Sequence, residues 1–449
     1  MKSPLFWKVS TLLGCILLLL IPLFMVSNLI SERVSYRNDV ENTLRQSTSG
    51  PQQLVGPLIA IPVTEIYYKI EEKKKVEYKR SYLHFLLPDT LLIEGNQRVE
   101  SRSIGIYDGQ IWNNELSIKA QFTTEKLAQL KGETITLGQP FITVGVGDAR
   151  GIGAVNVSKI GDETLVVEPG SGVSGQLPGV HIPLTSKVMA SKTFALDMTL
   201  NLAGTGSFSV VPVGRSSELT LNSNWPHPGF MGDYLPVKHQ ISASGFQAHW
   251  QSSWFANNLE SQFSDGEIPE WHAIPAFSVM VATPADQYQL TDRAIKYAIL
   301  LITLTFMAFF VFETLTGLRL HPMQYLLVGL SLVLFYLVLL ALSEHVGFTK
   351  AWITASLVGV LMNGVYLQAV LKSGKRSGMF VLALLGLDVV MWFLLRSEDS
   401  ALLLGSAVLA LALFTVMYLT RHFDWYSLSQ AKRAVPPTDV DNDAMRIWK

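Results

Sequence analysis

Two carboxylates inside apolar stretches are the residues of this chain best suited to chemistry. Glu313 lies near the end of one stretch, and Asp388 lies near the middle of another. A charge at membrane depth is costly unless it is paired or hydrated. We therefore expect Glu313 to have a partner such as Arg319 or His321. We expect Asp388 to be protonated or to face a polar side chain such as Asn363.

A rigid aromatic loop, Trp225-Pro226-His227-Pro228, is the second candidate site. The two prolines restrict the backbone, and Trp225 and His227 combine apolar surface with polar tips. Two interpretations remain open. The loop contacts a ligand, or it is a structural corner that the indole of Trp225 holds in place.

Other patterns favour no enzyme, metal or cofactor site. The segment from Gly145 to Gly151 lacks the spacing of a phosphate-binding loop and predicts a tight turn with an Asp148/Arg150 pair. The nine histidines show no H-E-x-x-H or similar ligand spacing, and no G-x-S-x-G elbow is present. Cys15 is the only cysteine and lies in an apolar run, which excludes thiol catalysis outside the membrane. A net charge of −1 gives no case for nucleic acid binding.

Apolar runs long enough to cross a bilayer must position these residues. Hydrophobic residues make up 49% of the chain and charged residues only 16%. A membrane span needs about 20 apolar residues. We predict one N-terminal span and five C-terminal spans, which are Val9 to Ile30, Ile295 to Leu315, Met323 to Leu342, Ala351 to Leu371, Met379 to Leu395 and Ala401 to Thr420. The residues after Ile30 lack a signal-peptidase motif, so we interpret the first span as an uncleaved anchor, with a kink at Pro22.

The distribution of basic residues predicts the orientation of the chain. Of the Lys and Arg residues in short segments outside the long insertion, eleven fall on one side of the predicted spans and only Lys350 and Arg396 on the other. Basic residues favour the cytoplasmic side. We therefore predict a membrane protein with both termini in the cytoplasm and the long insertion on the outer side of the membrane.

The insertion from residue 31 to 294 has the pattern of a mostly β, sandwich-like domain. Short alternating or β-branched runs, Gly105 to Tyr107 among them, are separated by Gly, Pro and Asn, which favours antiparallel strands. The Gly-rich segment Gly161 to Pro178 is the best candidate for a boundary if the domain has two lobes. Thr291 and Asp292 are placed to cap a helix that continues into the second span. The predicted domains are 1–30, 31–294, 295–420 and a cytoplasmic tail at 421–449.

Long strings of the sequence resemble the CreD family of Gram-negative inner-membrane proteins. They extend along nearly the whole chain and include QSTSGPQQLVGPLIAIPVTE from Gln46, VGVGDARGIG from Val144, SNWPHPGFMGDYLP from Ser223 and GFQAHWQSSWFANNL from Gly245. The resemblance implies a role in cell envelope integrity and colicin tolerance, and regulation by a two-component system that responds to carbon source. It implies no catalytic residue, cofactor or substrate.

Three functions remain open. The first is a non-enzymatic module whose β domain binds an envelope protein or a peptidoglycan component while the helices, in contact with membrane lipid, anchor it. The second is a proton-coupled transporter or flippase-like device that uses Asp388 and Glu313. The third is a signal transducer that acts through the C-terminal tail.

Overall fold

The chain folds into two compact units. This computed structural model describes residues 4–71, 74–105, 107–125, 134–160, 163, 165–173, 177–257, 262–264, 271, 274–282, 287–316, 320–371, 373–397 and 401–421. Residues 1–35 and 285–449 form one unit, here called the helical unit. Residues 36–284 form the other, here called the β domain. Most of the predicted tail lies outside the described residues.

Apolar helices make up the helical unit. The helices of the described chain are α1 (Pro4–Ser47), α2 (Ser186–Ala190), α3 (Trp254–Asn257), α4 (Gln287–Lys296), α5 (Ala298–Thr316), α6 (Pro322–Val346), α7 (Phe348–Leu371), α8 (Gly374–Arg396) and α9 (Ala401–Thr420). Within those residues, α1, α6, α7, α8 and α9 are each long and apolar enough to cross a membrane, and the bent pair α4–α5 provides a sixth candidate. The predicted arrangement of one N-terminal and several C-terminal apolar helices around a β domain is confirmed.

Two details of the helices differ from the expectations. α4 begins at Gln287, so Thr291 lies in the middle of this helix rather than at its cap, and its buried hydroxyl donates to the Gln287 carbonyl at 2.6 Å. α4 and α5 meet at an angle of 44°, so the expected continuous helix into the second span is wrong. The charged residues of α4, Asp292, Arg293 and Lys296, lie in its second half, and α5 begins with a long apolar run shortly after them, so the break lies where the composition changes.

The strands of the β domain form two sheets. The described strands are β1 (Gln52–Glu71), β2 (Lys74–Leu86), β3 (Thr90–Ile104), β4 (Tyr107–Thr123), β5 (Ile135–Leu137), β6 (Phe141–Gly145), β7 (Ile152–Ile160), β8 (Glu168–Pro169), β9 (Gly179–Pro183), β10 (Thr193–Thr205), β11 (Ser207–Val210), β12 (Ser216–Ser223), β13 (Pro228–Gly232), β14 (Lys238–Ser242), β15 (Gly245–Ser253), β16 (Gln262–Ser264) and β17 (Phe277–Val281). In the first sheet the order is β13-β17-β11-β1-β6-β9-β8, with β2 and β5 also on β1 and β16 on β2. In the second sheet the order is β14-β15-β12-β3-β4-β10-β7.

The sheets are mixed rather than purely antiparallel. β1 pairs in parallel with β11, and β3 pairs in parallel with β12, although each pair is far apart in the chain. Local turns join only antiparallel neighbours, so a pattern of short turns does not reveal these two pairings. Of the strand expected at Gly105 to Tyr107, Gly105 lies in a turn after β3 with a φ of +64°, Tyr107 is the first residue of β4, and Ile106 lies outside the described residues.

One hydrophobic core lies between the two sheets. Apolar side chains from both sheets belong to a single buried cluster, and the indole of Trp112 packs edge-on against Phe208 with ring centroids 5.6 Å apart. The division expected near Gly161 to Pro178 is not seen, because described strands before and after this segment pair within the same sheets. This core fixes the position of the four strands that carry the site described next.

Candidate functional site

A cavity lined by side-chain amides is the most distinctive site of the β domain. It has a volume of about 730 Å³, within the range of about 300–1,000 Å³ that is typical of small-molecule sites. We call it the amide cavity, and its lining residues are Asn96, Gln97, Arg98, Glu100, Asn113, Asn114, Glu115, Gly151, Gly153, Asn201, Leu202, Ala203, Asn222, Ser223, Asn224 and Phe246. Four neighbouring strands of the second sheet, β12, β3, β4 and β10, supply most of them.

Strand register brings the amides into rows. Asn222 pairs with Asn96, Asn96 pairs with Glu115, and Glu115 pairs with Asn201, so one polar row crosses all four strands. Each side chain in this row is exposed. Directly paired residues on neighbouring strands have Cβ atoms about 5 Å apart. The row therefore presents closely spaced donors and acceptors to solvent.

The next register position along these strands buries two more amides. Gln97 and Asn114 are cross-strand partners, and only 4% and 1% of their surfaces are exposed. None of their four side-chain polar atoms has a hydrogen-bond partner among the residues that the structure describes. An unsatisfied buried polar group costs about 1–3 kcal/mol. Both side chains point to the core side of the sheet, opposite to the exposed row, because successive residues of a strand face opposite ways.

A tight turn at one edge of the amide cavity carries Asp148 and Arg150. The Arg150 guanidinium donates to the Asp148 carboxylate through Nη2 at 2.6 Å and through Nε at 3.1 Å. Arg150 Nη1 also donates to the carbonyl of Gln46 at 2.6 Å. Together with the backbone N–H groups of Arg150 and Gly50, this guanidinium holds the pKa of Asp148 below its ordinary value. The Asp148/Arg150 pair is therefore part of a turn that joins the end of α1 to the sheets.

Glycine is required where this turn meets β10. A Cβ on Gly151 would lie 2.2 Å from the carbonyl oxygen of Ala203 and 2.3 Å from Nε2 of Gln52. Real side chains do not approach a backbone atom that closely. The Gly-rich string therefore serves a close backbone approach and not a phosphate group.

Trp225 and His227 follow directly after the Asn222–Asn224 segment of the cavity but are not part of its lining. The Trp225 indole N–H donates to the carbonyl of Ala282 at 2.9 Å, and the ring packs against the core. His227 is exposed, and its ring lies edge-on to Trp225 with centroids 6.2 Å apart. The indole therefore fastens the loop to Ala282, the residue after β17, which agrees with the interpretation of the loop as a structural corner.

Glu313 is neutralised within the helical unit by partners from distant parts of the chain. Its carboxylate forms an ion pair with Lys8 of α1, and it accepts hydrogen bonds from Tyr325 Oη at 2.8 Å and from the Leu320 N–H at 2.9 Å. The expected partner His321 instead caps α6, accepting from the Met323 N–H at 3.2 Å. Arg319, the other expected partner, lies outside the described residues. The geometry makes Glu313 a junction between α1, α5 and α6.

Asp388 lies in a separate pocket between α7 and α8. The pocket has a volume of about 380 Å³, and Ser356 and Trp392 line it together with Asp388. Asn363, the expected partner, pairs instead with Ser331 of α6, to which its Nδ2 donates at 2.8 Å. The aliphatic and aromatic side chains around Asp388 leave Ser356 as its polar neighbour on α7.

The whole chain is similar to known proteins. A statistical model of the family described as "Inner membrane protein CreD" matches residues 4–426. This chain belongs to the CreD family. It is also 61% identical over 449 residues to the Escherichia coli (strain K12) protein named "Inner membrane protein CreD", with 100% of each chain covered. The CreD match includes the amide cavity, the Asp148 turn and both membrane carboxylates.

The amide cavity of this CreD family member was not predicted from the sequence. Asparagine is depleted in strands because its side chain competes for backbone hydrogen bonds. Six asparagines within or next to alternating apolar runs were therefore the available signal, namely Asn96, Asn113, Asn114, Asn201, Asn222 and Asn224. In the described part of the chain, no group of three or more His, Cys, Asp and Glu side chains is arranged to hold a metal ion.

Proposed function

We propose that this inner-membrane protein supports cell envelope integrity as a non-enzymatic binding module. In this proposal the β domain lies in the periplasm and binds an envelope component in the amide cavity, while the helical unit anchors it in lipid with both termini in the cytoplasm. The two-component regulation and colicin tolerance implied by the family resemblance belong to the same proposal. The observation that carries it is the amide cavity itself.

The chemistry of the lining supports binding rather than catalysis. The described lining contains six asparagines and one glutamine, no histidine, cysteine or lysine, and two carboxylates, Glu100 and Glu115, whose backbones lie about 13 Å apart along the strands. Neutral amides are good hydrogen-bond donors and acceptors, but they do not exchange protons at physiological pH. General acid–base and nucleophilic catalysis rely on groups that do. A site built from amides is therefore suited to recognition.

Rescue of a strain that lacks this protein tests the proposal. Hydrophobic-dye uptake would be measured with the full chain and with two variants at matched membrane levels, Asn96→Ala/Asn222→Ala in the cavity and Asn156→Ala as a control. Asn156 is exposed on β7 and does not line the cavity. We expect the control to restore the barrier and the double variant to fail. Full rescue by the double variant would contradict the proposal.

The same assay separates this proposal from a transporter. Asp388→Asn removes the charge while keeping the size and hydrogen-bonding capacity of the side chain. A binding module tolerates this change, so we expect normal rescue at pH 6 and at pH 8. Loss of rescue with normal accumulation of the variant would favour a protonatable transport device instead.

Orientation is tested by labelling with a membrane-impermeant maleimide. Because Cys15 is the only cysteine, a Cys15→Ser chain provides a clean background. Asn156→Cys in the β domain should react in intact spheroplasts, whereas Lys375→Cys at the start of α8 should react only after the membrane is permeabilised. The reverse pattern would overturn the proposed topology.

A further inference from the structure

We propose that the ligand of the amide cavity is an uncharged oligosaccharide, bound through its hydroxyl and acetamido groups. This inference rests on the binding function proposed above and names the class of ligand. It depends on four properties of the cavity, which are the neutrality of its lining, its place within the sheet, its row of exposed amides and the spacing of its carboxylates.

Each side-chain amide of the lining can both donate and accept hydrogen bonds. A side-chain amide carries two donor positions and an acceptor oxygen. A sugar hydroxyl likewise donates and accepts, and an acetamido group does the same through its N–H and C=O. The row Asn222, Asn96 and Asn201 places such amides on three of four neighbouring strands. A ligand with many closely spaced polar groups matches this row.

Charge disfavours a polyanion in the cavity. Arg98 is the only cation of the lining, and Glu100 and Glu115 are its two anions. Phosphate and nucleic acid sites are built from clustered Arg and Lys or from helix N-termini. The small negative excess here favours an uncharged ligand.

The position within the sheet disfavours an extended peptide. Peptides commonly bind to a sheet by adding a strand to an exposed edge. The cavity strands β12, β3, β4 and β10 are all internal, with β15 beyond β12 and β7 beyond β10. Their backbone groups already pair with neighbouring strands. A ligand must therefore be recognised by side chains, as sugars are.

The buried pair Gln97 and Asn114 lies on the opposite face of the sheet from the row of exposed amides. Successive side chains of a strand point to opposite faces, and these two residues alternate with the exposed Asn96, Asn113 and Glu115. The exposed row therefore supplies the contacts to the ligand.

The two carboxylates are placed for binding rather than for hydrolysis of a glycosidic bond. Glu115 pairs with Asn96, and Glu100 lies four residues further along β3. At about 3.3 Å per residue, their backbones are about 13 Å apart along the strands. The carboxyl groups of glycosidases lie about 5–9.5 Å apart across the scissile bond. The cavity is therefore expected to hold its sugar unchanged.

Calorimetric titration of the full chain in lipid nanodiscs tests the inference, since nanodiscs avoid the sugar headgroups of common detergents. The probes are chitotetraose, which carries acetamido groups, cellotetraose, which carries hydroxyls alone, and tetraalanine as the peptide. We expect saturable binding of chitotetraose. Additional binding of cellotetraose would mean that hydroxyls suffice, and it also supports the inference. Asn96→Ala/Asn222→Ala should weaken binding at least tenfold, and Asn156→Ala should not change it.

Asn114→Leu provides a control within the same strands, because the Asn114 side chain faces the core and not the exposed row. It should leave binding of chitotetraose unchanged. A loss of binding by Asn114→Leu as large as that of the double variant, in a folded protein, would count against the inference. Binding of tetraalanine but of neither sugar would overturn it and leave the proposed binding function intact. No binding of any probe also overturns it, and the rescue assay then decides whether the binding function survives.

Discussion

The side-chain amide of Gln52 binds the backbone of Asp148 at both ends. Its Oε1 accepts from the Asp148 N–H at 3.0 Å, and its Nε2 donates to the Asp148 carbonyl at 3.0 Å. Nε2 also donates to the carbonyl of Ala203 at 3.0 Å. Gln52 is 1% exposed. One side chain therefore ties β1 to the Asp148 turn and to β10, and so positions one wall of the amide cavity.

Replacing Gln52 should destabilise the β domain. Gln52→Leu leaves the buried Asp148 N–H without its partner, while the carbonyls of Asp148 and Ala203 keep the Gly151 N–H and the Ser49 hydroxyl, and we expect a loss of about 1–3 kcal/mol in the free energy of unfolding. Thermal unfolding followed by the β-sheet infrared band measures this without interference from the helices. Gln240→Leu, at an exposed position of β14, is the matched control and should shift the midpoint little. Equal midpoints for the two variants would contradict the role assigned to Gln52.

Acid should weaken the turn that contains Asp148. Because the folded state lowers the pKa of this carboxyl, the stabilisation is complete above the unfolded pKa of about 3.9 and is lost as the pH falls through the folded value. The difference in stability between the natural chain and Asp148→Asn should therefore shrink as the pH falls from 7 toward 3. Unfolding midpoints at pH 7, 5, 4 and 3 measure it. Glu94→Gln, at an exposed position of β3, is the control, and a difference that grew on acidification would refute the prediction.

A methyl group should be tolerated at Gly153 but not at Gly151. The Cβ of Gly151→Ala would overlap the Ala203 carbonyl, whereas that of Gly153→Ala would lie 3.3 Å from the nearest atom, Cβ of Asn201. Overpacking of this kind costs about 1–3 kcal/mol. We expect Gly151→Ala, but not Gly153→Ala, to lower the midpoint of thermal unfolding followed by the β-sheet infrared band. The two substitutions are matched in chemistry and lie two residues apart, so similar midpoints would exclude the close approach as the reason for the glycine.

Removing one member of the Lys8–Glu313 ion pair should reduce the stability of the helical unit. Breaking a buried pair leaves an uncompensated charge and costs about 3–5 kcal/mol. Lys8→Met should therefore lower the temperature at which half of the detergent-solubilised protein is lost from the size-exclusion peak after heating. The double variant Lys8→Met/Glu313→Gln leaves no such charge and should recover part of the loss. Glu32→Gln, at an exposed position of α1, is the control. A double variant less stable than Lys8→Met would show that Glu313 is not held by this pair.

The positions of the apolar helices were predictable from the sequence because each helix needs about 20 apolar residues in one continuous segment to cross the bilayer. The partner of Glu313 was not predictable in this way, because Lys8 and Glu313 come together only when α1 packs with α5 and α6. The amide cavity was missed for a related reason. Its asparagines come from four strands, and two of the three junctions between these strands, β12–β3 and β4–β10, are non-local pairings that only the register reveals.

The parallel pairing of β3 with β12 also sets the order in which the domain can be completed. The partner of Thr90 to Gln97 is the segment Ser216 to Ser223, more than a hundred residues later in the chain. β17, which completes the other sheet beside β11, comes later still. Contacts so distant in sequence slow folding, and strands that wait for their neighbours expose open edges. During synthesis β3 must therefore wait for β12, and β11 for β17, until most of the domain has been made, and the open strand edges are surfaces that chaperones for unfolded proteins can protect.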